Sequence, residues 1–395
     1  MSLSRLAIEG GKPVRSRPWS IPQRGDDPTR QHLIAALVSE NWSNGEQVRA
    51  FEQAFAAFLG CEHVALTVNA TMALKLALLA WNIGPGDEVV VPALTFPSMA
   101  MAVLECGALP VVCDVDPESY CMSAATLEPA LSPRTRAILP THLYCTQCDM
   151  PPILDLASRH GLIVIEDCAH VPGTRRHGRY AGTWGQAAIF SFNQKKPLSC
   201  GEGGCLATTN AGLYQRVRWL RDFDTPAVGP PTRMQRMGKV SEFQASVLSG
   251  QLASLTDRLR ITEKRAEMLR ERVERLPGVR VLPRLPGTEL QTFYNFCLRV
   301  SRTTDTKAFR AALSAEIGLA VGTTYKPLDR DPALDCSNDH QFRSHQLRVT
   351  GGPCTTAKNA YEAAMRFPSH FLSVDPTAVD DIATAVEKVL PHYTD

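Results

Sequence analysis

Residues 162–167, Leu-Ile-Val-Ile-Glu-Asp, set four consecutive apolar side chains ahead of two carboxylates. A short apolar run without alternation reads as a strand covered on both faces, and such strands belong to parallel sheets with helices on either side. Sheets of this kind present polar groups at the carboxyl ends of their strands, which makes Asp167 a candidate site residue. Side chains alternate along a strand, so Glu166 faces the other way. Further strands are expected at 61–68, 89–92, 109–115 and 137–143. Helical stretches at 72–81, 95–105, 123–131 and 152–160 alternate with them. That alternation predicts an α/β sheet covered by helices.

A second stretch, Ser191-Phe-Asn-Gln-Lys-Lys-Pro-Leu-Ser-Cys-Gly-Glu-Gly-Gly204, reads as strand, tight polar loop, strand. It carries two neighbouring lysines, Lys195 and Lys196, of which one side chain can point inward. An imine-forming Lys with an Asp paired to a ring nitrogen is what pyridoxal phosphate requires. Between residues 68 and 72, Asn69-Ala70-Thr71 forms a strand-to-helix turn whose free N–H groups suit either an anion or an ordinary N-cap. Helical spacing also marks 31–37, 48–59 and 213–220, and a long region at 241–273 carries Leu248, Leu252, Leu255 and Leu259 on one stripe. Toward the C-terminus, 279–282 and 293–300 read as strands and 307–313, 357–366 and 377–390 as helices.

Asp167-Cys-Ala-His170, Ser191-Phe192 followed by three residues and Lys196, and Gly201-Glu-Gly-Gly204 together resemble the DegT/DnrJ/EryC1/StrS family of sugar and cyclitol aminotransferases. The likeness runs from roughly residue 30 to the C-terminus. It implies the PLP-dependent fold type I: an N-terminal arm (1–30), a large domain (31–275) with a mostly parallel seven-stranded sheet ending in a long linking helix, and a small α+β domain (276–395). Family spacing selects Lys196 for the Schiff base and leaves Lys195 in solvent. Asp167 pairs with the ring nitrogen, and Ala70, Thr71 and Ser191 take the phosphate. Phe96 stacks on the ring, or is a core Phe. His170 stands where the family often has Gln, against the ring's phenolic oxygen, with its tautomer open.

The resemblance further implies a homodimer with shared active sites and pyridoxamine phosphate as the intermediate form of the cofactor. Tyr325-Lys-Pro-Leu328 resembles a run in scyllo-inosose-type aminotransferases. It implies transfer from L-glutamine or L-alanine to a keto-cyclitol in aminocyclitol and aminoglycoside biosynthesis, with Tyr325 and Trp42 as candidate substrate contacts. A nucleotide-linked keto-sugar acceptor and a non-catalytic cofactor-binding sensor stay open as alternatives. The chain departs from the family at Gln235-Arg-Met-Gly-Lys239. Met237 stands where an Asn normally reaches the partner's phosphate, leaving Arg236 or Lys239 to supply charge instead.

Lys+Arg minus Asp+Glu is 42 − 40 = +2, with no basic block, so neither nucleic acid nor an anionic membrane is implied. The first eleven residues carry charges where a signal peptide has its apolar centre. The apolar region 97–115 is broken by Glu105, Gly107 and Pro110, so no bilayer span is expected and the cytoplasm is the expected location. Twelve cysteines without repeating spacing read as reduced, mostly buried thiols. The Cys145/Cys148 pair follows a strand and is read as structural; Cys336, His340 and His345 are read as surface residues of a polar loop, and no metal is implied.

Overall fold

The computed structural model describes residues 4–22, 25–222, 235–301, 305–335, 348–349 and 353–394. Asp26 caps the first helix, α1 (Asp27–Val38), by accepting from the Thr29 N–H, and α2 (Glu46–Leu59) stops at Gly60 in the left-handed conformation. Then follow β1 (His63–Thr67), α3 (Ala70–Ala80), β2 (Glu88–Pro92), α4 (Ser98–Glu105), β3 (Leu109–Cys113), a single turn α5 (Ala124–Leu127), β4 (Thr135–Ile138), α6 (Met150–Arg159) and β5 (Ile163–Asp167). A short hairpin, β6 (Arg175–Arg176) and β7 (Arg179–Tyr180), precedes β8 (Ala187–Ser191), β9 (Gly204–Thr208) and α7 (Ala211–Arg221).

The central sheet runs β1-β9-β8-β5-β4-β2-β3, with β9 alone antiparallel to its neighbours. The expected seven strands are present, and an eighth of two residues, β13 (Arg348–Val349), extends the sheet beyond β3. Val89, Val90, Val91, Val111, Val112, Val164 and Ile165 are buried, as strands covered on both faces require.

The long helix expected at 241–273 is two helices, α8 (Glu242–Leu252) and α9 (Leu255–Val273), joined at Ala253 and Ser254. Leu248, Leu255 and Leu259 still share one apolar cluster across the break. The bend lets both helices brace the lysine loop, because Gln251 Nε2 donates to the Ser199 carbonyl (2.7 Å) and Arg258 to that of Pro197 (3.1 Å).

The C-terminal region holds a sheet ordered β10-β12-β14, built from β10 (Val279–Val281), β12 (Asn295–Val300) and β14 (Ala364–Pro368). Between these come β11 (Thr288–Leu290), α10 (Thr306–Ile317) and α11 (Thr355–Ala363), with α12 (Ala378–Val389) last. The helix expected over 357–366 therefore ends at Ala363. Residues 364–368 become a strand because Met365 and Phe367 fill the core while the backbone pairs with β12. The strand β11 lies between expected elements and pairs with β6. The N-terminal arm packs on this region: Leu6 is buried, and Arg15 forms ion pairs with Asp375 (2.7 Å) and Asp381 (2.5 Å). Among the described residues, no helix is long and apolar enough to cross a membrane.

Candidate active site

The neighbouring strands β5 and β8 lead to Asp167 and Lys196. Asp167 closes β5 and is 4 % exposed; its Oδ1 accepts from the Ala169 N–H at 3.0 Å. Burial raises its carboxyl pKa from the ordinary value, against that hydrogen bond and the charge of Lys196. Lys196 sits in the loop after β8, where its N–H donates to the Asn193 carbonyl at 2.8 Å. It is 8 % exposed, whereas Lys195 is exposed. Burial pushes the Lys196 amine down to about 8 although Asp167 pulls the other way. Each group is thus driven toward its neutral form, and the two are close enough that each opposes the other's shift.

The Lys196 ammonium lies 4.2 Å from the centroid of Tyr294, at cation–π distance. Tyr294 stacks on His170 (4.4 Å), and His170 lies near-parallel to Tyr144 (5.5 Å) and Tyr325 (5.9 Å). His170 Nδ1 accepts from the Tyr144 backbone N–H (3.1 Å), and its Nε2 meets the Tyr325 hydroxyl (3.2 Å). Burial, followed by the charges of Lys196 and Arg366, lowers the His170 pKa well below its ordinary value. Phe96, just before α4, is 55 % exposed and meets Tyr325 edge-on at 5.8 Å.

Ala70 and Thr71 form the first turn of α3, capped by Asn69, whose side chain accepts from the Met72 N–H at 2.8 Å. A Cβ at Gly204 would stand 2.3 Å from the Ala70 nitrogen, so only glycine lets β9 pass so close to this helix start. Ser191, half-buried, ends β8 beside it in the sheet. Residues 235–240 run past the same helix, with the Val68 N–H donating to the Gly238 carbonyl at 3.0 Å and Met237 82 % exposed.

Trp42 is the candidate not brought together with these residues. Its indole N–H donates to the Leu37 carbonyl (3.3 Å) and its ring meets Phe243 at 5.9 Å. Tyr144 and Tyr294 carried no sequence signal, since neither stands in a motif; only the fold brings them to the lysine.

Glu166 faces away from Asp167 as expected and is fully buried. One oxygen accepts from the N–H groups of Trp184 (2.7 Å) and Gly185 (2.8 Å), the other from Gly182 (2.9 Å) and from His142 Nε2 (3.0 Å). Cys168 approaches His142 and Glu166, but four donors occupy that carboxylate and the cluster reads as a structural anchor. Cys145 and Cys148 are buried before α6; burial pushes the Cys145 thiol up to about 12 and that of Cys148 well above its ordinary value. Neither offers a ready thiolate. Cys336, His340 and His345 lie outside the described residues.

A model of the DegT/DnrJ/EryC1/StrS aminotransferase family matches residues 23–387. The chain is 35 % identical to the L-glutamine:scyllo-inosose aminotransferase of Streptomyces griseus, with 98 % of each chain covered. It is 34 % identical to the L-glutamine:2-deoxy-scyllo-inosose aminotransferase of Streptomyces paromomycinus, again over 98 % of both. Among solved structures, 3-amino-5-hydroxybenzoic acid synthase superposes with a TM-score of 0.84 at 26 % identity, covering 96 % of this chain and 100 % of that one.

Proposed function

The chain belongs to the DegT/DnrJ/EryC1/StrS aminotransferase family, and we propose that it moves the amino group of L-glutamine to a keto-cyclitol of the scyllo-inosose class with pyridoxal 5′-phosphate as cofactor. The printed activities of its full-length relatives suggest the substrates. The observation that carries the chemistry is that Lys196 and Asp167 are both buried, 8 % and 4 % exposed, where the neighbouring strands β8 and β5 end.

These residues fit the cofactor. A ring N–H⁺ would give Asp167 the counter-charge that its burial lacks, and Lys196 offers a neutral amine. The gap kept by Gly204 leaves the start of α3 open to a phosphate, which Ala70, Thr71 and Ser191 would hold. Phe96 would cover one ring face, and the His170 Nε2–H would donate to the phenolic oxygen. When bound, the cofactor supplies the carbon that exchanges the amine and a ring that takes up the electrons of a broken Cα–H bond.

Lys196 then works as a base and an acid. Its neutral Nζ takes the donor's Cα proton, and in the second half-reaction its ammonium form returns a proton to the cyclitol carbon being aminated. The aromatic wall of Tyr144, Tyr294 and Tyr325 excludes water around it. Tyr325 faces the bound substrate in this reading, whereas Trp42 serves the site only if a second chain carries it there. A homodimer is part of the proposal. Ile34, Leu37 and Val38 on α1 are 60 %, 55 % and 74 % exposed and leave apolar side chains on that helix for a second copy. Met237 brings no hydrogen-bond donor to the phosphate. A cytoplasmic setting with pools of free amino acid suits such an enzyme.

The test is a donor-by-acceptor activity matrix on the purified protein. L-glutamine and L-alanine are paired with scyllo-inosose, 2-deoxy-scyllo-inosose and a nucleotide-linked keto-sugar. Turnover of a free cyclitol ketone with L-glutamine is expected. Turnover of the nucleotide-linked ketone alone would replace the acceptor, and cofactor binding without amine exchange from any donor would make the protein a sensor.

A further inference from the structure

Tyr144, fully buried in the loop between β4 and α6, meets three residues of the wall around Lys196 through three different groups. Its backbone N–H donates to His170 Nδ1 at 3.1 Å, and its carbonyl accepts from the Tyr294 N–H at 3.1 Å. Its phenol oxygen accepts from the Tyr325 N–H at 2.8 Å, with the two rings 5.6 Å apart. The next residue adds a further tie, since Gln291 Nε2 donates to the Cys145 carbonyl. His170 follows a strand of the large sheet, whereas Tyr294 and Tyr325 belong to the C-terminal region. One loop residue therefore fixes how the two sides of the wall meet.

The backbone of Tyr144 gives a second, independent sign. Its φ of 56° lies in the left-handed region, which a bulky side chain rarely adopts. Such a conformation persists only where its surroundings over-determine it, and it clusters at functional sites. Covered completely by protein, Tyr144 reaches a ligand only through the residues it holds.

The consequence falls on Tyr325. His170 Nδ1 is an acceptor, so Nε2 carries the ring proton and donates it to the Tyr325 oxygen. Among the described residues that oxygen has no other partner, which leaves its own proton to donate. Burial raises the phenol's pKa and so keeps that proton in place.

We infer that Tyr144 is a positioning residue for the acceptor half-reaction, holding the backbone of Tyr325 so that the Tyr325 phenol donates to an oxygen of the bound ketone. The link is made to the backbone, so Tyr325 keeps its place when the His170 donor turns to the cofactor's phenolic oxygen. A polyhydroxylated ring ketone offers neutral oxygens around its edge, which a neutral phenol donor suits. This rests on the aminotransferase reading above and adds the residue that holds the acceptor's contact in register.

Tyr144→Phe removes the phenol oxygen and leaves both backbone hydrogen bonds. With the ketone that wild type turns over, it is expected to raise KM about 5- to 10-fold, as for one lost hydrogen bond. The kcat with that ketone and the KM for L-glutamine are expected to stay within about twofold. A residue needed only for folding would lower the unfolding midpoint without separating the two substrates. In a Tyr325→Phe background, Tyr144→Phe is expected to change the ketone KM by less than about twofold, because the hydroxyl it positions is gone. An unchanged ketone KM in Tyr144→Phe, or costs that multiply in the double variant, overturns the inference and leaves the aminotransferase reading intact. Should Tyr144→Phe fail to fold, wild type still decides. Amide exchange followed by NMR on cofactor-loaded enzyme with isotope-labelled tyrosine is expected to show Tyr325 protected. Exchange there as fast as in an exposed loop overturns the link to Tyr144. A wild-type enzyme that no amino acid can convert to the amine-loaded form overturns the aminotransferase reading instead.

Discussion

The Nε2 of His170 lies 3.2 Å from the Tyr325 hydroxyl, while Nδ1 accepts from the backbone N–H of Tyr144 at 3.1 Å. A backbone N–H only donates, so Nδ1 carries the lone pair and the proton of the neutral ring sits on Nε2. The tautomer left open by the sequence is therefore fixed by a hydrogen bond from a residue 26 positions away. The ring aims a donor at Tyr325 and at whatever oxygen is placed beside it.

Replacing His170 tests this arrangement. A Gln retains both an acceptor for the Tyr144 N–H and a donor, and His170→Gln is expected to keep activity within about tenfold of wild type. His170→Leu leaves the buried N–H unpaired and is expected to cost about 1–3 kcal/mol in denaturant unfolding. Equal stability of the two variants would contradict the assigned hydrogen bond.

The neighbouring lysines give a sharper contrast. Lys196→Ala is expected to lose the visible absorbance of the bound cofactor and to slow each half-reaction by about 10²- to 10⁴-fold or more. Lys195→Ala retains both, because that side chain is exposed. The opposite pattern would move the imine-forming position by one residue.

Burial of Lys196 sets a pH dependence in the cofactor-free protein. With its amine pushed down to about 8 from 10.5, the neutral fraction rises about tenfold per pH unit below that midpoint and levels above it. The rate at which added pyridoxal phosphate develops its visible band should follow this curve. The folded chain also sheds this proton before the unfolded chain does. Apo-protein stability from this group therefore increases as pH climbs from about 8 toward 10.5. A reaction midpoint at the unperturbed lysine value would contradict the buried position.

Gly204→Ala probes the start of α3. Its Cβ would meet the Ala70 nitrogen at 2.3 Å and the Asn69 carbonyl carbon at 2.5 Å, backbone atoms that have little room to give. A loss of about 1–3 kcal/mol in unfolding free energy is expected, together with weaker cofactor binding in an equilibrium titration. An alanine variant as stable and as tightly loaded as wild type would show that β9 and α3 have room to separate.

The apolar runs and the residues that close them were legible along the chain. Asp167 ends a strand, Lys196 and His170 lie in the loops that follow β8 and β5, and Phe96 and the turn at Asn69 stand just before helices, where local pattern fixes placement. Three features were not legible in this way. The break at Ala253 and Ser254 follows from bracing the lysine loop, and Tyr294 reaches Lys196 only because the C-terminal region folds back over the large sheet. Residues 364–366 scan as helix, yet β12 offers them a ladder of hydrogen bonds that outweighs local propensity.

By itself, then, the order of residues determined the parallel sheet, its polar edge and the carboxylate and amine placed there, since runs and turns act over a few neighbours. Which proton His170 carries and which tyrosines surround the amine were decided only by tertiary pairing. Those outcomes depend on backbone donors and strand partners far away in the chain, whose contributions exist only once the chain has packed.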